Sequence, residues 1–106
     1  MIVVSNSNIP GKKIVKTFGL VKGNTIRARH IGKDILAVFK NLVGGEIHEY
    51  TKLMAESREQ AIDRMIDNAG QVGANAVTGV RFTTSMVAQG AAELMVYGTA
   101  VIIEDN

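Results

Sequence analysis

The spacing of apolar residues predicts a long amphipathic helix in the middle of the chain. From 46 to 72 the apolar side chains fall on one stripe of a helical wheel, and most acidic side chains fall on the opposite side. At 1.5 Å per residue this helix is about 40 Å long, so we expect it to overhang a small sheet. A second apolar period, over 31–42, ends at Gly44 and Gly45 and predicts an earlier helix of about three turns.

The segments outside the two predicted helices alternate between apolar and polar side chains, as half-buried strands do. A lysine, a glycine and an asparagine interrupt the first of these segments, and we interpret them as a break or a bulge. The last two segments flank a glycine-containing connection, which is typical of a hairpin. A short β-branched run at 1–5 is a candidate edge strand. The predicted strands are 14–21, resuming at 25–29 after the break at 22–24, then 76–87 and 93–103.

These elements follow one another in the order β-α-α-β-β within a single domain, 1–106. We therefore predict an α+β fold in which an antiparallel three-stranded sheet carries the long amphipathic helix on one face. The other face is too apolar to be left in water, because residues such as Val15, Val21, Val77 and Ile102 are expected there. A second copy of the chain would cover this face, so we predict a homo-oligomer.

Composition removes several classes of site. The chain contains no cysteine, which excludes disulfides, thiolate nucleophiles and cysteine-ligated metals and suits the reducing cytoplasm in which we expect the protein. The N-terminus does not resemble a signal peptide. No apolar stretch reaches the about 20 residues of a membrane span, so we expect no membrane partner.

The net charge of +2 conceals two halves of opposite sign. Residues 1–45 carry eight basic side chains against Asp34, and residues 46–106 carry four basic against nine acidic side chains. A basic half can mark a nucleic-acid-binding protein. Phe18 is the only aromatic residue within 12–29, however, and base stacking needs more such platforms. Nucleic acid is therefore disfavoured, and we expect the basic segment to lie near the acidic helix, within a subunit or between subunits.

A histidine lies among glutamates where the long helix begins, and such a cluster could bind a metal ion. Glu46 and Glu49 are three residues apart and project from neighbouring positions, so they could share an ion. His48 points about 100° away from Glu49 and farther still from Glu46, so the three side chains do not converge within one chain. The favoured interpretation is an exposed first turn whose carboxylates are stabilised by the helix dipole.

Arg58 falls on the predicted apolar stripe, where a guanidinium needs an anionic or carbonyl partner. A salt bridge between subunits, or between helix and sheet, is favoured over a clamp for an anionic ligand. The N–H groups beside Gly44 and Gly45 could also hold an anion. The sequence contains neither a nucleophile elbow nor a nucleotide-binding glycine motif, so no catalytic residue is assigned.

Several segments resemble the YbjQ-like family of small bacterial and archaeal proteins, which are described as uncharacterised or heavy-metal-binding. The most specific are GANAVTGVRF at 73–82 and GTAV at 98–101. Looser matches are IPGKKI, GLVKGNTIRA and LVGG followed by Tyr50, and Arg58 in SREQA occupies a family position. The resemblance covers nearly the whole chain. It implies a dodecin-like architecture, with the long helix on the sheet, assembled into a ring that is a pentamer.

The leading hypothesis is a non-enzymatic, ring-forming protein that binds a small ligand or ion or serves as an assembly module. Arg58, Tyr50, Gly44 and Gly45 are the residues expected at the ligand or subunit contact. The sequence does not identify a cofactor.

Two other functions stay open. One is metal binding through Glu46, His48 and Glu49, within one subunit or around the axis of the ring. The other is a small-molecule enzyme with its active site between subunits, for which the sequence offers no residues to assign.

Overall fold

The computed structural model describes residues 1–27, 47–88 and 91–106. The elements within these ranges are β1 (Ile2–Val3), β2 (Lys12–Arg27), α1 (Ile47–Val72), β3 (Ala76–Ala88) and β4 (Ala91–Asp105). The strands form one sheet in the order β1-β3-β4-β2, in which β1 runs parallel to β3 and the other neighbours are antiparallel. The helix α1 packs on this sheet.

The predicted antiparallel three-stranded sheet is wrong, although the α+β class holds. The sheet has four strands and is mixed, because the N-terminal run joins it as the parallel strand β1. Ile2 N–H donates to the Asn75 carbonyl at 3.3 Å, and Val4 N–H donates to the Val77 carbonyl at 2.9 Å. Two residues are too few to show a period, so the pattern gave β1 no partner. The earlier predicted helix, 31–42, lies outside the described residues.

The predicted break at 22–24 is also wrong, because β2 runs through it. Bulges lie earlier, between Ile14 and Lys16 and between Thr17 and Gly19. Gly23 stays in the strand because the helix sits directly on it. A Cβ at Gly23 would lie 2.0 Å from the Ala61 carbonyl oxygen and 2.4 Å from the Met65 backbone nitrogen. The glycine therefore permits close approach of two backbones and does not form a turn.

The long helix is confirmed, and its buried side is a narrow row. Ser57, Ala61, Met65 and Ala69 are each at most 2 % exposed, and a four-residue spacing keeps them on one side of a helix. The expected overhang is wrong. The helix has 26 residues and is about 39 Å long, whereas the 16 residues of β2 extend about 50 Å. Within the described ranges, no helix is long and apolar enough to cross a membrane.

The two faces of the sheet are covered to different extents. On the face that α1 covers, called the helix face, Val21, Val77 and Val96 are buried with the helix row. The predicted position of Val21 and Val77 on the opposite face is therefore wrong, because α1 packs on the face that carries them. The opposite face is called the open face. At one end of it Ile9 packs on a small cluster of Ala76, Val101 and Ile103.

Candidate functional site

The residues predicted at the start of the long helix are placed only in part. Gly44, Gly45 and Glu46 lie outside the described residues. His48, Glu49 and Tyr50 belong to the first turn of α1, but their side chains are also outside what the structure describes. The proposed metal ligands and the proposed glycine anion site therefore stay predictions.

Arg58 is exposed in the single chain, although the preceding Ser57 is buried. On an ideal helix Arg58 points within about 20° of the buried Met65, so its direction is that of the stripe, but the described part of one chain does not cover it. The premise that this guanidinium needs a partner inside the subunit is thereby removed. A role for Arg58 in a contact between subunits remains open.

Metal-binding side chains do not cluster in the part of the chain that the structure describes. No three histidine, aspartate or glutamate side chains among those that the structure describes come together as a metal site would require. A hydrogen bond from Lys12 and the charge of its ammonium group lower the pKa of the Asp105 carboxyl below its ordinary value of 3.8. Lys12 begins β2 and Asp105 ends β4, so this pair fastens the two strands together.

The outer edge of β2 is covered by side chains of α1. Lys22 N–H donates to Asn68 Oδ1 at 3.3 Å, and Arg64 Nη1 donates to the Asn24 carbonyl at 2.6 Å. These two backbone groups lie on either side of Gly23, where the helix approaches most closely. A helix placed over a strand edge is one way in which proteins prevent a further strand from pairing there.

The opposite edge of the sheet is covered only at one end. Val4 and Asn6 pair with β3 as far as Val80, and Arg81 Nη1 donates to the Ser5 carbonyl at 3.0 Å. Beyond this point the described side chains of β3, residues 81–85, are all exposed. Phe82, on the helix face, is 47 % exposed, and α1 packs mainly on β2 and β4.

Apolar side chains are also exposed on the open face, away from the Ile9 cluster. Leu20 is 70 % exposed and Ile26 is 54 % exposed. Their β4 partners in the register are Thr99 and Glu93, and Tyr97 lies between these on the same face. The predicted surplus of apolar surface on this face is therefore present, but it is carried by Leu20 and Ile26 and not by Val21 or Val77.

A polar cleft lies at the other end of the molecule. Its volume is about 530 Å³, within the range of small-molecule sites. The cleft is shallow. One wall is a surface loop in which Lys12 N–H donates to the Ile9 carbonyl, and the other wall is Asn106. Its chemistry is that of amide and hydroxyl groups. The lining residues are Asn6, Ser7, Asn8, Ile9, Pro10, Gly11, Lys12 and Asn106.

Sequence reasoning missed the two edges of the sheet. The Asn68 and Arg64 contacts with β2 join residues about 40 positions apart, and nothing local in the sequence indicates them. A signal was available for β3, because residues 82–88 contain no charge and no proline. Edge strands that must not pair usually carry one or the other.

A solved structure has a similar fold. A protein of unknown function from Pediococcus pentosaceus, which belongs to the DUF74 family, superposes with a TM-score of 0.59 over 98 % of each chain. The sequences are 12 % identical, so the likeness concerns the fold alone.

Comparisons of sequence are more specific. A UPF0145 protein of Dehalococcoides mccartyi is 58 % identical over 98 % of this chain and 100 % of its own length. A UPF0145 protein of Methanosarcina acetivorans is 52 % identical over 97 % of each chain. The YbjQ family model, described as "Putative heavy-metal-binding", matches residues 1–104. Because this match and these relatives span almost the whole chain, the protein belongs to the YbjQ family.

Proposed function

We propose that the protein is a non-enzymatic, self-associating module whose copies form a ring and hold a small ligand or ion between them. The observation that carries the proposal is the large surface that one copy leaves exposed. A cytoplasmic location is part of the same proposal.

The exposed surface is large for the mass of the chain. The accessible area is 6827 Å² for 11.4 kDa, whereas a compact monomer of this mass exposes about 5,800 Å². The surplus of about 1,000 Å² is similar to the about 800 Å² that each partner contributes to a standard interface. The radius of gyration, 17.1 Å, likewise exceeds the about 13 Å of a compact domain of this length.

The chemistry of this surface supports association. Leu20 and Ile26 on the open face and Phe82 on the helix face are each about half exposed or more. Large apolar side chains that remain this exposed on a small domain are typical of surfaces that a partner covers. Arg58 and Tyr50, with Gly44 and Gly45, are the residues that we propose at the contact or at the ligand between subunits. The resemblance to the family suggests a pentamer.

Native mass spectrometry of protein purified from cells tests the proposal. We expect a defined multiple of the 11.4 kDa chain, with extra mass if a ligand is retained. The double variant Leu20→Glu with Ile26→Glu should weaken association at least tenfold, because it places carboxylates in the contact. Gln71→Glu, an exposed position on α1, is the control and should associate normally. A wild-type protein that stays monomeric at high concentration would contradict the proposal.

Metal binding is the second candidate function, and the description of the family favours it. The donor chemistry fits poorly, because soft heavy metals prefer thiolates and the chain has no cysteine. The remaining donors that we propose are Glu46, His48 and Glu49 near the start of α1, contributed by several subunits.

Thermal unfolding with and without divalent ions tests the metal candidate. We expect Zn²⁺ or Cu²⁺ to raise the Tm of the wild type and not that of His48→Ala. His30→Ala, which changes the other histidine, is the matched control and should respond as the wild type does. If no divalent ion changes the wild-type Tm, the metal candidate is wrong.

A further inference from the structure

We propose that the open face of the sheet carries a site for a phosphate group, formed by Lys22, Tyr97 and Arg81 on three adjacent strands. These three residues are called the cationic row. The ligand is a small phosphorylated molecule or free phosphate. The inference rests on the ligand-binding part of the proposed function, to which it adds a chemical class and a place, and it does not require the ring.

The register of the sheet places the three side chains side by side. Tyr97 of β4 pairs with Lys22 of β2 on one side and with Arg81 of β3 on the other. Directly opposite residues of antiparallel strands project from the same face, with their Cβ atoms about 4.5 to 5.5 Å apart. Val21 and Val96, the preceding residues on two of these strands, are buried on the helix face. The cationic row therefore lies on the open face, where its two cations are exposed and the tyrosine is half-buried.

The guanidinium of Arg81 is restrained at the outer end of the row. Its Nη1 donates to the Ser5 carbonyl at 3.0 Å and to the Val80 carbonyl at 2.9 Å. A guanidinium has five N–H donors, so Nε and Nη2 keep three of them for a ligand. A restrained fork of donors of this kind matches the oxygens of a phosphate group.

The other two members of the row stand on rigid parts of the fold. The backbone N–H of Lys22 donates to Asn68 Oδ1 at 3.3 Å, and the following Gly23 lies against α1. Tyr97 belongs to β4, which pairs on both sides. Groups on regular elements hold a ligand more precisely than groups on loops. The row thus offers an ammonium group, a hydroxyl donor and a guanidinium in one line.

The charge of the row favours an anion. On the described open face the nearest acidic residue is Glu93, four positions along β4 from Tyr97 and so about 13 Å away. Its carboxylate accepts a hydrogen bond from Asn24 Nδ2 at 3.1 Å. Neither Lys22 nor Arg81 forms an ion pair with a described residue, so the two positive charges are available to a phosphate group.

Equilibrium dialysis of the full chain against radiolabelled inorganic phosphate, at an ionic strength held constant with chloride, tests the inference. We expect saturable binding of about one phosphate per chain. Lys22→Gln should weaken it about tenfold or more, because one charge-assisted hydrogen bond is lost. The matched control is Lys13→Gln, which removes the same charge from another exposed lysine of β2 and should bind within about twofold of the wild type.

Two further variants separate binding from folding. Arg81→Gln should also weaken binding about tenfold, but it removes the contact with the Ser5 carbonyl as well. Tyr97→Phe removes only a hydroxyl group and should weaken binding about threefold with an unchanged circular dichroism spectrum. Lys22→Arg keeps the charge and should restore most of the affinity that Lys22→Gln loses.

The outcomes distinguish this inference from the proposed ring. If the wild type shows no saturable binding, or if Lys22→Gln binds as tightly as Lys13→Gln, the inference is wrong. A chain that associates without binding phosphate overturns the inference and leaves the proposed self-association standing. A chain that stays monomeric and still binds phosphate through Lys22 supports the inference and overturns the ring.

Discussion

The two long outer strands of the sheet, β2 and β3, meet the surface in opposite ways. β2 is covered by α1, whose Asn68 and Arg64 bond its outward backbone groups. Among the described residues, β3 is covered by β1 and the following residues only as far as Val80. Within this part of the chain, side chains of a helix therefore hold the edge of one strand, whereas backbone pairing holds part of the edge of the other.

The largest expected effect is at Gly23, where β2 and α1 are closest. Gly23→Ala would place a methyl group 2.0 Å from the Ala61 carbonyl oxygen, so the helix would have to move away from the strand. We expect the free energy of unfolding to fall by about 4 kcal/mol, at the upper end for a single substitution. Urea unfolding followed by circular dichroism measures it.

The matched control for this variant is Gly70→Ala in α1, the helix that packs against Gly23. The added methyl group meets nothing within 4 Å there, so the higher helix propensity of alanine should stabilise the protein by about 0.5 to 1 kcal/mol. Equal effects of the two substitutions would mean that the close contact at Gly23 is absent in solution.

A pair of large-to-small substitutions compares the covered and open regions directly. Met65 of α1 is fully buried between the helix and the sheet, so Met65→Ala should lower the free energy of unfolding by about 2 to 4 kcal/mol. Phe82 is 47 % exposed, so Phe82→Ala should cost less than about 1 kcal/mol in the dissociated chain and should weaken association instead. Chemical unfolding and sedimentation, measured on the same samples, separate the two effects. A large loss of monomer stability in Phe82→Ala would show that this side of β3 is part of the core.

Removing the cover from β2 should make its edge resemble that of β3. Arg64→Ala and Asn68→Ala each delete one hydrogen bond to the strand, at a cost of about 1 kcal/mol each. In the double variant, exchange of the amides of 20–26 should accelerate, and a tendency to aggregate should appear. Glu59→Ala, exposed on the same helix, is the control. Unchanged exchange in the double variant would mean that these two side chains do not protect the edge.

The smallest effect is expected at the Lys12–Asp105 pair, which joins the ends of β2 and β4. The pKa of Asp105 is lowered in the folded protein by Lys12, so the pair stabilises the fold above the ordinary value of 3.8 and this contribution is lost as the pH falls through the lowered pKa. The Tm of the wild type should therefore exceed that of Asp105→Asn slightly at pH 7, and the two should converge near pH 2. A difference that persists at low pH would point to a contact that does not depend on charge.

Periodicity predicted the elements whose residues repeat many times. The 26 residues of α1 contain seven turns of the same pattern, and the hairpin of β3 and β4 alternates over more than ten residues. β1 has two residues and therefore no period. Gly23 was misinterpreted for a different reason, since a glycine in a strand indicates a break and a close backbone contact equally well until the position of the helix is known.

The candidate site was less predictable than the fold. Arg58 points in the direction of the buried Met65 on a helical wheel, yet it is exposed. A wheel gives the direction of a side chain around the axis and not how much of the helix the sheet covers, so the sequence predicts the stripe and not the burial of Arg58. The open edge of β3 depends on which strands lie beside it, and this information is nonlocal. The absence of charge from 82–88 was the one local sign.

The parallel pairing of β1 has a consequence for synthesis on the ribosome. Ile2 pairs with Ala76, so β1 cannot take its place in the sheet until β3 has been made. At ordinary rates of translation it waits about 4 to 15 seconds for its partner to be made. During that time the apolar side chains of β1 have no sheet to join, and the hairpin can form only after β3 and β4 have both left the exit tunnel. The parallel pair is therefore expected to close later than any contact between neighbours in the chain.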